Sequence, residues 1–404
     1  MNGLILKIIL NFIKLKFTTS KVMKKKILVF TGSRADYGIL RPLVFKLKKE
    51  KKIDTLIAAS THHFSKNYGN TYKQILNDFK KINYKCKINI NKTSINSIIN
   101  YCGKSIVSLN SYINKVKPSM IIILGDRYET FICAFVGFMR NIPISHIHGG
   151  EITKGAIDDS LRHAITKLSD YHFVCHENYK KRIIQLGENS KNIFNYGSLS
   201  SEAIKKFRFE SKKNLIKKNK IPNFTHNILV TFHPETRSNT SPKKQIEIFI
   251  RSIENFDNIL FIITYNNKDE SGDYFRNRIK KMKKNKNIIL FESLGVKKYF
   301  NFLKFSDIVI GNSSSGIIEA PIVKTPTINV GFRQDGREFS KSIFNVPLNH
   351  KLIKNKINEV LNLKKVHYQN LFFKKNASNK ISKKIISLLN HKNEIKSFRD
   401  IKVK

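Results

Sequence analysis

The sequence predicts two α/β halves, each a parallel sheet flanked by helices, facing one another across a cleft. Three observations carry this. From Lys24 onward, short β-branched runs alternate with amphipathic stretches, the mark of βαβ units whose strands are covered on both faces. The series restarts after residue 225. Between the two series lies the lysine-rich segment 205–220 (KKFRFESKKNLIKKNK), without strand character and followed by Pro222, which reads as a helix end plus linker.

Taken in order, the first half has continuous apolar runs at 27–30, 55–59, 120–124, 144–147 and 172–175, all expected as strands. Amphipathic segments at 39–49, 128–140 and 158–168 are the expected helices between them. The second half repeats the pattern with strand runs at 228–232, 259–264, 288–291, 308–310 and 327–330. The expected organisation is therefore a Rossmann-like domain over 23–204, a linker at 205–225, a second Rossmann-like domain over 226–390 and a basic tail at 391–404. Residues 1–22 are expected outside the fold, with an upstream start, because the first clear element, KKKILVFTG, begins after Met23. The apolar stretch at 4–17 is broken by Lys7, Lys14 and Lys16 and falls short of the roughly 20 apolar residues a membrane span needs. It also lacks the charge pattern and cleavage site of a signal peptide.

At 404 residues and 41% hydrophobic, the chain has enough apolar matter for real cores, which excludes a disordered tail, a collagen-like chain and a disulfide miniprotein. Lys and Arg number 75 against 29 Asp and Glu, a formal charge of +46. That balance suggests a polyanionic partner. Only 14 of the 75 are arginine, and the lysines spread over both halves of a chain also rich in Asn and Ile. A basic nucleic-acid or anionic-surface binding protein is thus the alternative of another class, without a recognisable nucleic-acid motif to carry it. Cys86, Cys102, Cys133 and Cys175 lie far apart with no C-x-x-C pair, which fits a reduced, cytoplasmic chain.

Four strand-end loops carry chemistry. After the first strand, Thr31-Gly32-Ser33-Arg34-Ala35-Asp36-Tyr37-Gly38 offers backbone donors at a helix start and a guanidinium for a diphosphate. No G-x-G-x-x-G fingerprint accompanies it. In the second half, Gly311-Asn312-Ser313-Ser314-Ser315-Gly316 leads to Glu319, three hydroxyls and a carboxylate suited to phosphate and ribose. Arg333 and Arg337 follow in GFRQDGRE. His233 ends the second half's first strand, where an imidazole can donate to a phosphate or move a proton.

The densest loops gather Gly125-Asp126-Arg127, His146-Ile147-His148-Gly149-Gly150-Glu151 and Asp158-Asp159-Ser160-Leu161-Arg162-His163. Four carboxylates, three imidazoles and two guanidiniums at adjacent strand ends point to acid–base work. A zinc or manganese site is the rival, and helix capping by Asp158 and Asp159 over a packed His163 the structural alternative.

These segments together resemble the hydrolysing UDP-N-acetylglucosamine 2-epimerases of sialic- and legionaminic-type sugar biosynthesis. The matching runs are GSRADYGIL, YGNTY, LGDRYET, HIHGGEITKGAIDDSLRHAITKLSDYHF, FNYGS, FHPET and GNSSSGIIEAP…TPTINVGFRQDGRE, in order across roughly 24–390. The resemblance implies a glycosyltransferase-B-like fold, substrate in the interdomain cleft, no metal or redox cofactor, and a homodimer or higher oligomer. It implies loss of the proton on carbon 2 as UDP leaves, a glycal intermediate, then addition of water to give N-acetylmannosamine. Relatives act on 2,4-diacetamido-2,4,6-trideoxyglucose carried on UDP or GDP, and no residue here decides between the sugars. A retaining glycosyltransferase on the same fold would transfer the sugar to an acceptor instead.

Carried over by motif, Asp126, Glu151, Asp158, Asp159 and His148 form the catalytic set. Arg34, Gly38, Arg127, His233, Asn266, Ser313, Ser314, Ser315, Gly316, Glu319 and Arg333 bind the UDP-sugar, supported by Arg162, His163 and Arg337. One letter departs. Some relatives carry a glutamate, thought catalytic, where this chain has His148, so the base stays open among Asp126, Glu151 and Asp159.

Overall fold

The computed structural model describes residues 24–65, 70–88, 94–265, 272–292, 294–390 and 395–400. Among them, two all-parallel sheets form. The first contains β1 (Lys25–Thr31), β2 (Ile53–Ala59), β3 (Tyr84–Lys85), β4 (Met120–Leu124), β5 (Ile144–Ile147), β6 (Tyr171–Val174) and β7 (Ile193–Asn195), in the order β3-β2-β1-β4-β5-β6-β7. The second contains β8 (His226–Thr231), β9 (Ile259–Thr264), β10 (Ile288–Phe291), β11 (Ile308–Gly311), β12 (Thr327–Val330) and β13 (Ile343–Val346), in the order β10-β9-β8-β11-β12-β13. All ten runs expected as strands are strands, within one or two residues at their ends. The two- to four-residue edge strands β3, β7 and β13 are additions, too short for a periodic signal.

The central strands β4 and β9 are buried at every residue, because helices cover both faces of each sheet. Each sheet reverses its winding once, between β1 and β4 and between β8 and β11. At such a point successive crossovers leave in opposite directions, and the strand ends open a crevice that takes ligands. A loop singled out above follows each of those four strands, and two more follow the neighbouring β5 and β12. Topology thus brings them together.

Two boundaries differ from expectation. The segment expected as linker carries a helix, Lys212–Asn219, capped by the Ser211 hydroxyl. Its Leu215 is buried with Leu229, Leu260 and Phe302 of the second half. The last helix, Ala377–Leu388, was expected in the second domain but packs on the first. Ala377, Ile381, Ile385 and Leu388 share a core with Ile27, Val29, Leu40 and Leu43. The reason is its apolar stripe, which fills the face between the helix Arg34–Lys48 and the helix Leu199–Lys205. A mixed cluster, Cys175, Tyr179 and Ile183 with Ile317, Ile318 and Ile343, joins the halves. No helix among the described residues is long and apolar enough to cross a membrane.

Candidate active site

A cavity of about 170 Å³ lies between the two winding reversals, with Arg34, Gly38 and Ser200 on one side and His233, Tyr299, Ser313, Ser314, Ser315 and Glu319 on the other. Ser33 caps the helix Arg34–Lys48, its hydroxyl accepting from the Asp36 N–H, which sets Arg34 at the helix start facing the cavity. Burial weakens the hold of Arg34 on its proton, Tyr299 opposes this, and nearby Arg276 adds to it. No carboxylate pairs with Arg34 among the described residues. Arg276 itself stacks over Tyr265, 4.7 Å from the ring centroid. Arg34 at the cavity wall, with a second guanidinium close behind it, suits a diphosphate.

Opposite, Ser313 caps a five-residue helix, Ser314–Ile318, and a second short turn, Ala320–Val323, follows. The Tyr299 and Ser315 hydroxyls are hydrogen-bonded to one another. Glu319 sits where the two turns meet. Burial raises its carboxyl to about 7, against the opposing pull of Ser200, His148 and Arg337. His233 is held by its neighbour across the sheet. Its N–H donates to Asn312 Oδ1 at 2.7 Å, and Asn312 Nδ2 donates back to the His233 carbonyl at 2.9 Å.

The acid–base cluster abuts this cavity without lining it. Arg162, 1% exposed, organises it. Its guanidinium pairs with Asp126 and donates to the Glu151 carbonyl at 2.9 Å and the Thr153 hydroxyl at 3.2 Å. Asp159 accepts from the Thr153 N–H at 2.6 Å, with Arg162 at 3.7 Å and His163 at 4.0 Å. Asp158 faces Arg333 from the second half at 3.8 Å. Glu151 bonds His148 Nδ1 at 2.8 Å and Arg337 at 2.5 Å. Arg337 and His148 hold its carboxyl near 2 in spite of burial, with Cys175 contributing. One atom each from His148, Glu151 and Cys175 lie within 4.8 Å of one another, a donor set that a soft divalent ion accepts. Here Arg337 already neutralises the carboxylate.

Some expected residues have other work. Gly316 is buried off the cavity, and an added Cβ would stand 2.7 Å from the Thr327 methyl, so its role is close packing. Arg127 turns to Glu129 at 3.3 Å and stacks over Tyr128. Arg333 donates to the Asn312 carbonyl at 3.3 Å, bracing the serine loop from beside the cavity. His146 is wholly buried and bonded to the Gly125 carbonyl at 2.7 Å, a packing residue. Asn266 lies outside the described residues.

Sequence reasoning missed Tyr299 and Ser200 at the cavity and Arg276 near Arg34. Arg276 had a signal in the scarcity of arginine; Tyr299, inside an amphipathic helix, had none. It also missed a buried group behind the first loop. His62 pairs with Glu129 at 2.5 Å, and burial raises the Asp36 carboxyl to about 6 against the pull of Arg127.

Known proteins share this arrangement. The family model described as UDP-N-acetylglucosamine 2-epimerase matches residues 45–386. A Campylobacter jejuni protein named GDP/UDP-N,N'-diacetylbacillosamine 2-epimerase (hydrolyzing) is 38% identical over 328 residues, 81% of this chain and 85% of that protein. Polysialic acid biosynthesis protein P7 of Escherichia coli is 37% identical over 384 residues, 93% of this chain and 98% of its own. The crystal structure of UDP-GlcNAc 2-epimerase from Neisseria meningitidis bound to UDP-GlcNAc superposes with a TM-score of 0.74 at 20% identity, covering 90% of this chain and all of that one, which establishes the two-domain fold.

Proposed function

The chain belongs to the UDP-N-acetylglucosamine 2-epimerase family, and from that premise we propose that it hydrolyses UDP-N-acetylglucosamine to N-acetylmannosamine and UDP with inversion at carbon 2, for sialic-acid-type sugar biosynthesis. The observation that carries the reading is the cavity between the halves. It sets Arg34, with no carboxylate partner among the described residues, against three serines and Glu319, next to a separate carboxylate and imidazole cluster.

Departing UDP gathers negative charge. Arg34 and the hydroxyls of Ser313, Ser314 and Ser315 are preorganised donors for it in a site sheltered from water, with the charge of Arg276 behind Arg34. Leu294, Val296 and Phe300 give the base an apolar bed. His233 and Glu319 serve phosphate and ribose. Asp126, Asp158 and Asp159 stand with His148 and Glu151 where the proton of carbon 2 is removed and returned. The protein works in the cytoplasm as a homodimer or higher oligomer, in domains of about 23–204 and 226–376, with the last helix returned to the first.

The second reading takes its support from the Campylobacter jejuni relative: the same chemistry on a UDP- or GDP-linked 2,4-diacetamido-2,4,6-trideoxyglucose. One experiment tests both. Purified protein is incubated in heavy water with each of the three sugar nucleotides, and products are identified by NMR. UDP-N-acetylglucosamine should yield UDP and N-acetylmannosamine carrying deuterium at carbon 2. Consumption of a diacetamido sugar alone selects the second reading. Product with only protium at carbon 2, or no nucleotide release from any donor, refutes the reaction.

A further inference from the structure

We propose that His148 Nε2 is the group that removes the proton from carbon 2, with Glu151 and Arg337 as positioning residues that fix the ring from opposite halves of the molecule. This rests on the hydrolysing 2-epimerase reading. It narrows a choice that the sequence leaves open, and it takes Glu151 out of direct contact with the sugar.

Glu151 has no face left for substrate. Its Oε1 bonds His148 Nδ1 at 2.8 Å and accepts from the Cys175 thiol at 3.4 Å, while its Oε2 meets Arg337 at 2.5 Å. A carboxylate bonded to Nδ1 fixes that nitrogen as the donor, so the lone pair sits on Nε2. Nε2 has no hydrogen-bond partner among the described residues, although the residue is only 6% exposed. A buried, unpartnered imidazole nitrogen is a polar group left for something to fill.

The backbone supports this. His148 has φ +64°, in the left-handed region that few non-glycine residues occupy. Its N–H donates to the Phe173 carbonyl at 2.9 Å, which holds the chain there at the end of β5. Strain of this kind gathers at working sites. The ionisable groups facing the ring are Glu151, Cys175 at the end of β6, His146 on its own strand, and Glu319 and Arg337 from the second half. Glu319 also lines the nucleotide cavity, so the ring lies between that cavity and the acid–base cluster.

Arg337 arrives on the loop after β12, and that loop is pressed onto the first half. The Lys154 N–H donates to the Asp335 carbonyl at 3.1 Å, and a Cβ on Gly155 would stand 2.6 Å from the Arg333 Cα. The Glu151–Arg337 pair therefore exists only with the halves closed. Closure thus sets the base as well as the substrate.

The step balances without a further reactant. Nε2 takes the proton of carbon 2, the C–H electron pair becomes the second bond between carbons 1 and 2, and the bond from carbon 1 to the phosphate oxygen breaks with its pair on UDP. The proton passes from Nε2 to UDP or solvent. Water then adds: its oxygen bonds carbon 1, its proton passes to a neighbouring carboxylate, and the carboxylic acid so formed delivers a proton to carbon 2 from the opposite face.

His148→Asn is the informative variant. Asn tolerates the left-handed backbone and keeps an N–H donor for Glu151, but lacks Nε2. It should lower kcat by about 100-fold or more, with KM within a few-fold and the thermal midpoint preserved. Glu151→Gln removes the fixed acceptor that holds Nδ1–H, so the ring loses its set orientation and kcat should fall by about ten-fold or more with KM within a few-fold. Wild-type protein that releases no nucleotide from any donor would remove the underlying reading. Active wild type with His148→Asn within about five-fold of it, or Glu151→Gln with kcat unchanged, overturns this assignment alone.

Discussion

Glu319 is held in a place that resists its charge, since burial raises its carboxyl to about 7 from an ordinary 4.5. Its proton thus adds stability that is fully present below about pH 4.5 and is lost as pH rises through 7. His63 and His146 run the other way. Burial pulls each to about 3, so their contribution is present above 6.5 and fades only as pH falls toward 3. Glu319→Gln, in ligand-free protein, should therefore gain on wild type from acid to alkaline pH, by on the order of 3 kcal/mol at about pH 8. Thermal midpoints measured across that range check it, and a constant offset would contradict it. Of the residues concerned, Glu319 and the carboxylate cluster were legible from loop position and charge. Asp36, His62 and Glu129 were not, because their meeting depends on three separate strands coming side by side.

At the scale of elements, the helix Asp158–Leu168 carries four of the expected site residues and appears with the bounds the sequence predicts. What holds its far end was invisible. Lys396 donates to the carbonyls of Thr166, Lys167 and Ser169 at 3.5, 2.7 and 2.5 Å and pairs with Glu188 at 2.9 Å. A cation there satisfies carbonyls that the helix itself leaves open and complements its dipole. Lys396→Ala should cost about 1–2 kcal/mol in unfolding free energy and lower kcat more than KM, as seen by denaturant titration and steady-state kinetics. A silent substitution would mean that the tail only rests on the surface. The expected basic tail had no periodicity to mark it, since its docking rests on scattered contacts: Lys396, the Phe398 ring against Gly187 and the Arg399 N–H on the Gly187 carbonyl. The central strands, by contrast, were plain in the sequence because burial on both faces writes continuous apolar runs.

For the whole molecule, the formal charge of +46 is a poor guide to function. The groups at the cavity are few, sheltered and mostly arginine or hydroxyl, and sheltered charges are screened little by salt. Nucleotide-sugar turnover, as kcat/KM, should therefore change by less than about ten-fold between low salt and about 0.3 M, while any binding to random duplex DNA falls steeply. Retained, salt-tolerant DNA binding would revive the polyanion reading. The two-sheet plan was legible from the repeated pattern. The return of Ala377–Leu388 to the first half was not, since an apolar stripe shows that a helix buries a face without saying against what. That return matters during synthesis. The first half leaves the ribosome well before the residues that seal its core, with the surface awaiting Ile381 and Ile385 still open to water. Maturation of the first half thereby waits for residues 377–388, and a chain that stops before them leaves unfinished the half it had already made.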